Sequence, residues 1–484
     1  MSKRPERVVD IKIESLDFPD RASGHVLVPL AEDPVAELLE IPVDHGARAF
    51  REPERIVRMK GGIPGQVWRV HVKRRRQGAW ESEPLELLQR SPLEKKALCS
   101  QASHCGGCNY QTLSYEAELM LKMQQLRRLY AEAGFPLDIG LHRSPRINGY
   151  RSKMEYTFGD NEPNGPLMLG LHRPRRFYDI LPTPGCTIVP PDFNVLREAV
   201  QTFCRERGWA YYHRGKKEGF LRHLVLRASL TKGELMVNLV TSGGHDMTEK
   251  EKGEFVAMLH AQPTSFPVAS VFHTINDGVA DTVQADGLEL LDGQEYIEEE
   301  LFGLTFRVGP FSFFQPNVEG AKNLYAKALE MAGDLSGMTV YDLYTGTGTL
   351  AQIVARQAQR VIGVEIVEEA VEKARESAER NHIANCRFVA ADVLAELAHL
   401  AEIGDAPDCV FLDPPRDGIH PKAIAHLLAA QPRQIVYISC NPRTQVRDLV
   451  LFAAGGYRIE AGEAFDQFSR TKHVECVCLM SRKG

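Results

Sequence analysis

At 484 residues the chain is too long for one compact core, so two or three domains are expected. With 43% hydrophobic and 25% charged residues it reads as an ordinary soluble protein, and no uninterrupted apolar run approaches the ~20 residues of a membrane span. A net charge of −6 argues against a uniformly basic nucleic-acid binder, and the start MSKRPERVVD lacks the apolar core of a secretory signal, so a cytoplasmic location is expected. In that reducing compartment the ten cysteines read as metal ligands, catalysts or packing residues, not disulfides.

Residues 1–78 alternate like short strands at Val8–Glu14, Gly24–Val28 and Gln66–Val72, with a turn at Gly61-Gly-Ile-Pro-Gly65. Closely spaced strands predict a small OB-like β-barrel of the kind that binds oligonucleotides. An acidic insertion is expected between residues 31 and 45. Two stripes are basic: Arg55, Arg58, Lys60, Arg69 and Lys73–Arg76, then Arg143, Arg146, Arg151, Lys153, Arg173, Arg175 and Arg176. They favour an RNA or DNA partner; a solvated charged face is the bland alternative.

Residues 79–300 form a mixed α+β central domain, with a helix expected over 115–133 and strands over 221–230 and 234–241. Here Cys99, Cys105 and Cys108, with the distant Cys186, supply four thiols, a set that suits tetrahedral zinc or an iron–sulfur cluster; spacing does not separate the two.

Residues 301–484 alternate between strand and helix. Apolar runs at 339–343, 360–364, 386–390, 408–412, 434–439 and 474–480 predict a mostly parallel, doubly wound α/β sheet. The first run enters Tyr344-Thr-Gly-Thr-Gly348, where two glycines allow a tight turn and close approach to a ligand, but the third glycine of a dinucleotide fingerprint is missing. Glu365 ends the second strand, where a carboxylate accepts both ribose hydroxyls, and Asp392 follows the third, where it reaches an adenine amino group. Both acids also make sense as helix N-caps. Together the three elements resemble a Rossmann-like class I S-adenosylmethionine-dependent methyltransferase.

The fourth strand runs into Asp413-Pro-Pro-Arg416, and the fifth into Ser439-Cys-Asn-Pro442, placing the Cys440 thiol at the lip of the sheet. An inert packed cysteine is the alternative. A thiol beside an acid-Pro-Pro element suits carbon methylation of a pyrimidine. Uracil C5 is a poor nucleophile until a thiolate adds at C6, and a base must then remove the C5 proton. Cys440 fills the first role and Glu475, in His473-Val-Glu475, the second; a solvated strand-edge acid is the alternative for Glu475.

With Phe313-Phe-Gln-Pro-Asn317, Asp342–Gly348, Asp413–Gly418, Ser439–Thr444 and His473–Glu475, the chain closely resembles the RNA 5-methyluridine (uracil-C5) methyltransferases over nearly all its length. The resemblance implies Cys440 as nucleophile and Glu475 as base, with cofactor contacts from Gln315, Tyr344, Glu365, Asp392 and Asp413. Thr345 stands where the family usually carries Cys, and Gln467-Phe-Ser-Arg470 replaces its usual Met-Phe-Pro-His. Cys105-Gly-Gly-Cys-Asn-Tyr-Gln111 is similar to the iron–sulfur members, implying a structural [4Fe–4S] cluster on Cys99, Cys105, Cys108 and Cys186. The N-terminal strands look like a TRAM domain, an RNA-binding barrel, and the match at Tyr150–Phe158 implies phosphate contacts from Arg151 and Lys153. The expectation is therefore methylation of C5 of a uridine in RNA through a Cys–C6 adduct, in 23S ribosomal RNA first and transfer RNA second. The association of barrel and cluster within the family favours that order. No obligate protein partner is inferred. An amino-group or cytosine-C5 methyltransferase and a non-catalytic RNA-binding iron–sulfur protein are the alternatives.

Overall fold

The computed structural model describes residues 8–27, 56–162, 165–174, 176–244, 246–278, 286–403 and 407–483. The acidic insertion expected at 31–45, and Arg55 and Arg175 of the basic stripes, lie outside the described residues. The chain divides into two compact units, one of residues 1–97, 109–141 and 470–473, the other of 98–108, 142–469 and 474–484.

In the first unit β1 (Val8–Asp17), β2 (Arg21–Val26), β3 (Ile56–Lys60), β4 (Val67–Arg76) and β5 (Ala79–Gln89) close in the order β1-β2-β3-β5-β4. Strand alternation turns Val9, Ile11, Ile13, Val57, Met59, Val70 and Val72 inward to one apolar core. At Gly24 a Cβ would lie 2.2 Å from the Lys12 carbonyl oxygen, so β1 and β2 cross closely only because glycine is there. Of the basic stripe, Arg69 pairs with Asp10 at 3.0 Å and Glu86 at 3.3 Å and Lys73 with Glu83, while Arg21 of β2 pairs with Glu81. Helix α1 (Tyr115–Glu132), capped by the Ser114 hydroxyl accepting from Ala117 N–H, adds Leu121 to the core. It buries Glu118, which accepts from Lys122 Nζ and from the Arg470 amide, each at 2.7 Å.

After the short edge strand β6 (Gly140–His142), the second unit holds two sheets. β7 (Lys153–Gly159), β8 (Met168–Arg173), β9 (Arg176–Pro182), α2 (Pro191–Glu206), β10 (Leu221–Ser229), β11 (Glu234–Thr241), α3 (Glu249–His260), β12 (Val268–Ile275) and β13 (Gly287–Gly293) build a seven-stranded mixed sheet, ordered β13-β12-β11-β10-β7-β8-β9. One face packs on α2 and α3 through Phe193, Leu196, Val200 and Phe255. The hairpin β14 (Ile297–Leu301)–β15 (Leu304–Val308) and helix α4 (Val318–Ala332) lead into the second sheet.

That sheet follows the expected alternation: β16 (Thr339–Leu343), α5 (Thr349–Ala355), β17 (Arg360–Glu365), α6 (Glu368–Arg380), β18 (Cys386–Ala390), α7 (Val393–Ile403), β19 (Cys409–Leu412), α8 (Pro421–Ala430), β20 (Gln434–Ser439), α9 (Pro442–Ala454), β21 (Tyr457–Phe465) and β22 (Glu475–Arg482). Its order is β18-β17-β16-β19-β20-β22-β21-β6, parallel from β18 to β20 and antiparallel at β20–β22 and β21–β22. The order reverses between β16 and β19, the crevice where ligands of such sheets bind. Among the described residues no helix is long and apolar enough to cross a membrane.

Candidate active site

The loop after β16 is built to bring backbone close to a ligand. Tyr344, Gly346 and Gly348 have φ of 66°, 55° and 75°. A Cβ on Gly348 would lie 2.6 Å from the Phe388 ring, whereas nothing lies within 4 Å of one on Gly346. Gly348 therefore serves packing and Gly346 leaves a cradle. Gly346 N–H donates to Glu365 Oε2 at 3.1 Å, while Oε1 accepts from Ile366 and Val367 amides at 2.9 and 3.1 Å. Glu365 is thus pinned at the end of β17. Asp392 caps α7, its Oδ1 accepting from Leu394 and Ala395 amides at 2.9 and 3.3 Å. The cap does not remove it from the crevice. Burial first, and the Asp392 carboxylate second, push the Tyr344 phenol up to about 12.

Beneath this cradle sits a buried acid that the sequence reading did not single out as a site residue. Asp342 accepts from the Thr345 hydroxyl at 2.5 Å and is pushed up to about 7, by burial and then by the Asp413 carboxylate. Thr345, the departure from the family's cysteine, therefore supplies a donor to a carboxyl that would otherwise be more costly to bury.

On the other side of the crevice, Cys440 stands between β20 and α9, with Pro442 at the first helical position. The antiparallel register ends on Ser439 paired with Cys476, so Cys440, just past β20, and Glu475, the first residue of β22, lie at the same end of two neighbouring strands. Asp413 leaves the carboxyl end of β19 alongside. The electrostatics record the proximity. Burial, then the carboxylates of Glu475 and Asp413, push the Cys440 thiol up to about 12, and Arg416 opposes them. Glu475 is held well above the usual carboxylate range by burial and then by Asp413, while burial alone pushes Asp413 up to about 7. Cys440 is half-buried, unlike the fully buried Cys204, Cys409, Cys476 and Cys478.

Helix α9 fixes the loop that carries Asp413 and Arg416. Asn441 Nδ2 and Thr444 Oγ1 donate to the Arg416 carbonyl at 3.0 and 3.2 Å, and Arg447 donates to that of Asp417 at 3.0 Å. Asp448 Oδ2 accepts from Ile419 N–H at 2.9 Å and from the Tyr437 hydroxyl at 2.8 Å. Gly418, at φ 77°, passes so close that its Cβ would lie 2.6 Å from Asp448 Oδ2. The thiol and the acid loop are therefore set by one helix start.

Tyr325 of α4 escaped the sequence reading, because on an amphipathic helix it looks like any core aromatic. Burial raises its phenol well above its ordinary value; Asp413, Glu475 and Asp342 add to this, while a hydrogen bond from Gln315 opposes it. One crevice thus gathers Gln315, Tyr325, Asp342, Asp413, Cys440 and Glu475.

A family model described as tRNA (uracil-5-)-methyltransferase matches residues 282–483. An RNA methyltransferase of Caldanaerobacter subterraneus is 41% identical over 428 residues, 88% of this chain and 94% of the relative. One of Clostridium tetani is 39% identical over 430 residues, 88% of this chain and 93% of the relative. The chain belongs to a family of RNA methyltransferases. The structure of the Pyrococcus abyssi tRNA (uracil-54, C5)-methyltransferase with S-adenosyl-L-homocysteine matches at a TM-score of 0.70 and 26% identity, covering 97% of this chain and 100% of that one. The enzyme is accordingly an S-adenosylmethionine-dependent methyltransferase with the fold expected of its C-terminal half.

The four-thiol centre expected in this enzyme is not found assembled: among the described residues no group of three or more His, Cys, Asp or Glu is arranged to hold a metal ion. Gly107 N–H donates to Cys105 Sγ at 3.4 Å, and Cys108 and Cys186 lie against the apolar core of α2. The thiols are nonetheless neighbours. Cys186 is raised by burial and then by Cys99 and Cys105, and Cys105 by burial and, among lesser causes, Cys99.

The Gln467–Ser469 departure is accommodated by polar contacts. Gln467 Nε2 donates to the Asn317 carbonyl at 3.1 Å, and Asn317 Nδ2 to that of Gln467 at 2.9 Å. Gly320 makes room, since its Cβ would lie 2.0 Å from Gln467 Oε1.

Proposed function

We propose that the enzyme methylates C5 of a uridine in folded RNA through a transient bond from Cys440 sulfur to C6. The observation that carries this reading is the half-buried thiol at the same strand ends as a buried carboxyl, with Asp413 close to both. Glu365 and Asp392 are the residues suited to the ribose and adenine of S-adenosylmethionine, with the open face of Gly346 giving it room and Gln315, Tyr344 and Asp413 lining its approach. Bound, this cosubstrate supplies an electrophilic methyl group.

The chain's own residues do the rest. Cys440 gives up its proton to solvent and its sulfur bonds to C6, sending the C5–C6 π pair towards C5; C5 then takes the methyl group as the methyl–sulfonium bond breaks, its electron pair leaving with S-adenosylhomocysteine. The ionised Glu475 then accepts the C5 proton, the C5–H electrons re-form the ring double bond, and the C6–S bond breaks to return the thiolate. A carboxyl held above its usual range is a stronger base once ionised. Arg416 favours the anionic thiolate that its carboxylate neighbours oppose. A base must leave its stack to reach this thiol, so a loop or remodelled stem is the substrate.

Large-subunit ribosomal RNA is the first reading for that substrate. Transfer RNA is the second, favoured by the full-length match to the Pyrococcus enzyme. The N-terminal five strands, read as a TRAM-like barrel, hold the surrounding backbone in either case. For Cys99, Cys105, Cys108 and Cys186 the reading is a structural [4Fe–4S] cluster, supported by the mutual fields of three of the thiols. No catalytic step passes through it. Iron and sulfide near four each per anaerobically purified chain would support the cluster, and zinc without sulfide would refute it.

Labelled methyl transfer onto unmodified ribosomal and transfer RNA transcripts, followed by nuclease mapping, tests the reading. A single 5-methyluridine in one class is expected. Label on an exocyclic amine or on cytosine, or none in either class, would overturn it.

A further inference from the structure

The segment 309–317 between β15 and α4 is a strap that carries Gln315, and it is anchored along its length. Ser152 N–H donates to the Pro316 carbonyl at 2.7 Å, Asn317 exchanges hydrogen bonds with Gln467, and Phe314 packs against the apolar cores of both sheets. Its first turn is held from β10 of the mixed sheet, where the buried Arg227 donates from Nε to the Pro310 carbonyl at 3.2 Å and from Nη2 to that of Ser312.

Fold stability alone is a poor reason for an arginine there. Arg227 is buried, with 4% of its surface exposed, and among the described residues it makes no ion pair. The register sets it directly opposite Lys153 of β7. Like charges so placed repel, and a buried cation without a counter-charge is costly. Both groups show the strain: burial pushes Arg227 down to about 10, and burial followed by the Arg227 charge lowers Lys153. What arginine offers is a rigid fork whose donors reach two carbonyls at once; a lysine has a single point of attachment and glutamine one short amide.

We propose that Arg227 is a positioning residue for methyl transfer, setting the strap so that Gln315 meets the Tyr325 hydroxyl beside Asp413 and Glu475. The inference rests on the reaction proposed above only for its kinetic consequence. The geometric consequence, a fixed strap, stands without it.

The test uses the full-length enzyme and the variants Arg227→Gln and Arg227→Lys. Hydrogen–deuterium exchange read over the peptide 309–317 is expected to quicken in both, with the β16–β20 peptides unchanged. For a displacement of about 1 Å, kcat is expected to fall roughly 10–100-fold, with KM for RNA within about 3-fold of wild type. The melting temperature of Arg227→Gln should stay level or rise, because the opposition to Lys153 is gone. Guanidinium ion at millimolar concentration should restore part of the turnover of Arg227→Ala. Unchanged strap exchange would overturn the proposal whatever the activity. So would wild-type kcat in both substitutions, or parallel loss of kcat and melting temperature without guanidinium rescue. A wild-type enzyme that forms no 5-methyluridine while its strap still loosens on substitution would count against the proposed reaction and leave the positioning intact.

Discussion

Replacing Glu475 by Gln should make the Cys440 thiol more reactive and the enzyme less active. Cys440 is pushed up to about 12 by burial and then by the carboxylates of Glu475 and Asp413. Groups at the same end of two neighbouring strands are roughly 5 Å apart, the spacing between strands. At that separation and an effective dielectric near 20, one ionised carboxylate disfavours a second anion by about 3 kcal/mol, or about two pKa units. The thiol is half-buried, so solvent screening reduces this to roughly one unit. Removing a negative neighbour lowers the thiol pKa, and below that pKa the thiolate fraction rises in proportion. The variant should therefore be alkylated by iodoacetamide about tenfold faster once the pH is high enough to ionise Glu475 in the wild type. The gain should shrink as the pH falls and the raised Glu475 takes up its proton. Peptide mass spectrometry with Cys440→Ser as blank isolates the site. Turnover should fall over the same range because the C5 proton has no acceptor. Alkylation that is equal or slower in the variant across the whole pH range in which the protein stays folded would refute the arrangement.

Asp413→Asn should stabilise the protein in a pH-dependent way. With the folded carboxyl near 7 against an ordinary value of 3.8, folding is penalised increasingly from pH 4 to 7 and fully above that. The melting-temperature gain should be largest at pH 8 and fade towards pH 4; a gain independent of pH would contradict this. Gly348→Ala, at a left-handed φ and against the Phe388 ring, should cost about 2–4 kcal/mol in urea unfolding, and an unchanged midpoint would show the turn to be plastic. Glu365→Ala should weaken S-adenosylhomocysteine binding at least tenfold by calorimetry, because ribose hydroxyls lose charged acceptors worth about 1.5–3 kcal/mol. Undiminished affinity would remove Glu365 from the pocket.

The parallel sheet was legible because its strands are buried on both faces and read as continuous apolar runs. Gln434–Ser439 and Thr339–Leu343 match residue for residue. Strands with one polar face were not. In β21, Arg458, Glu460 and Glu463 interrupt the apolar positions, and in β5 so do Glu81, Glu83 and Glu86, with Pro84 at a register shift. The barrel therefore continues to Gln89, past the boundary at 78 drawn from alternation alone. Those β5 acids face Arg21, Lys73 and Arg69, a pairing that only the closed fold brings about. Strand ends betrayed Glu365, Asp413 and Cys440, since a polar or nucleophilic residue just past an apolar run stands out. Tyr325 and Arg227 gave no such signal. Each sits in an element whose period it respects, and each matters through partners about ten or more than eighty residues away.

The most direct measurement is mass spectrometry of the enzyme incubated with S-adenosylmethionine and RNA carrying 5-fluorouridine at the mapped position. Fluorine at C5 cannot leave as a proton, so a covalent species should accumulate whose digest shows the methylated nucleotide on the peptide containing Cys440, absent in Cys440→Ser. Release of methylated RNA with no such species, or full turnover by Cys440→Ser on the natural substrate, would contradict the transient sulfur–carbon bond.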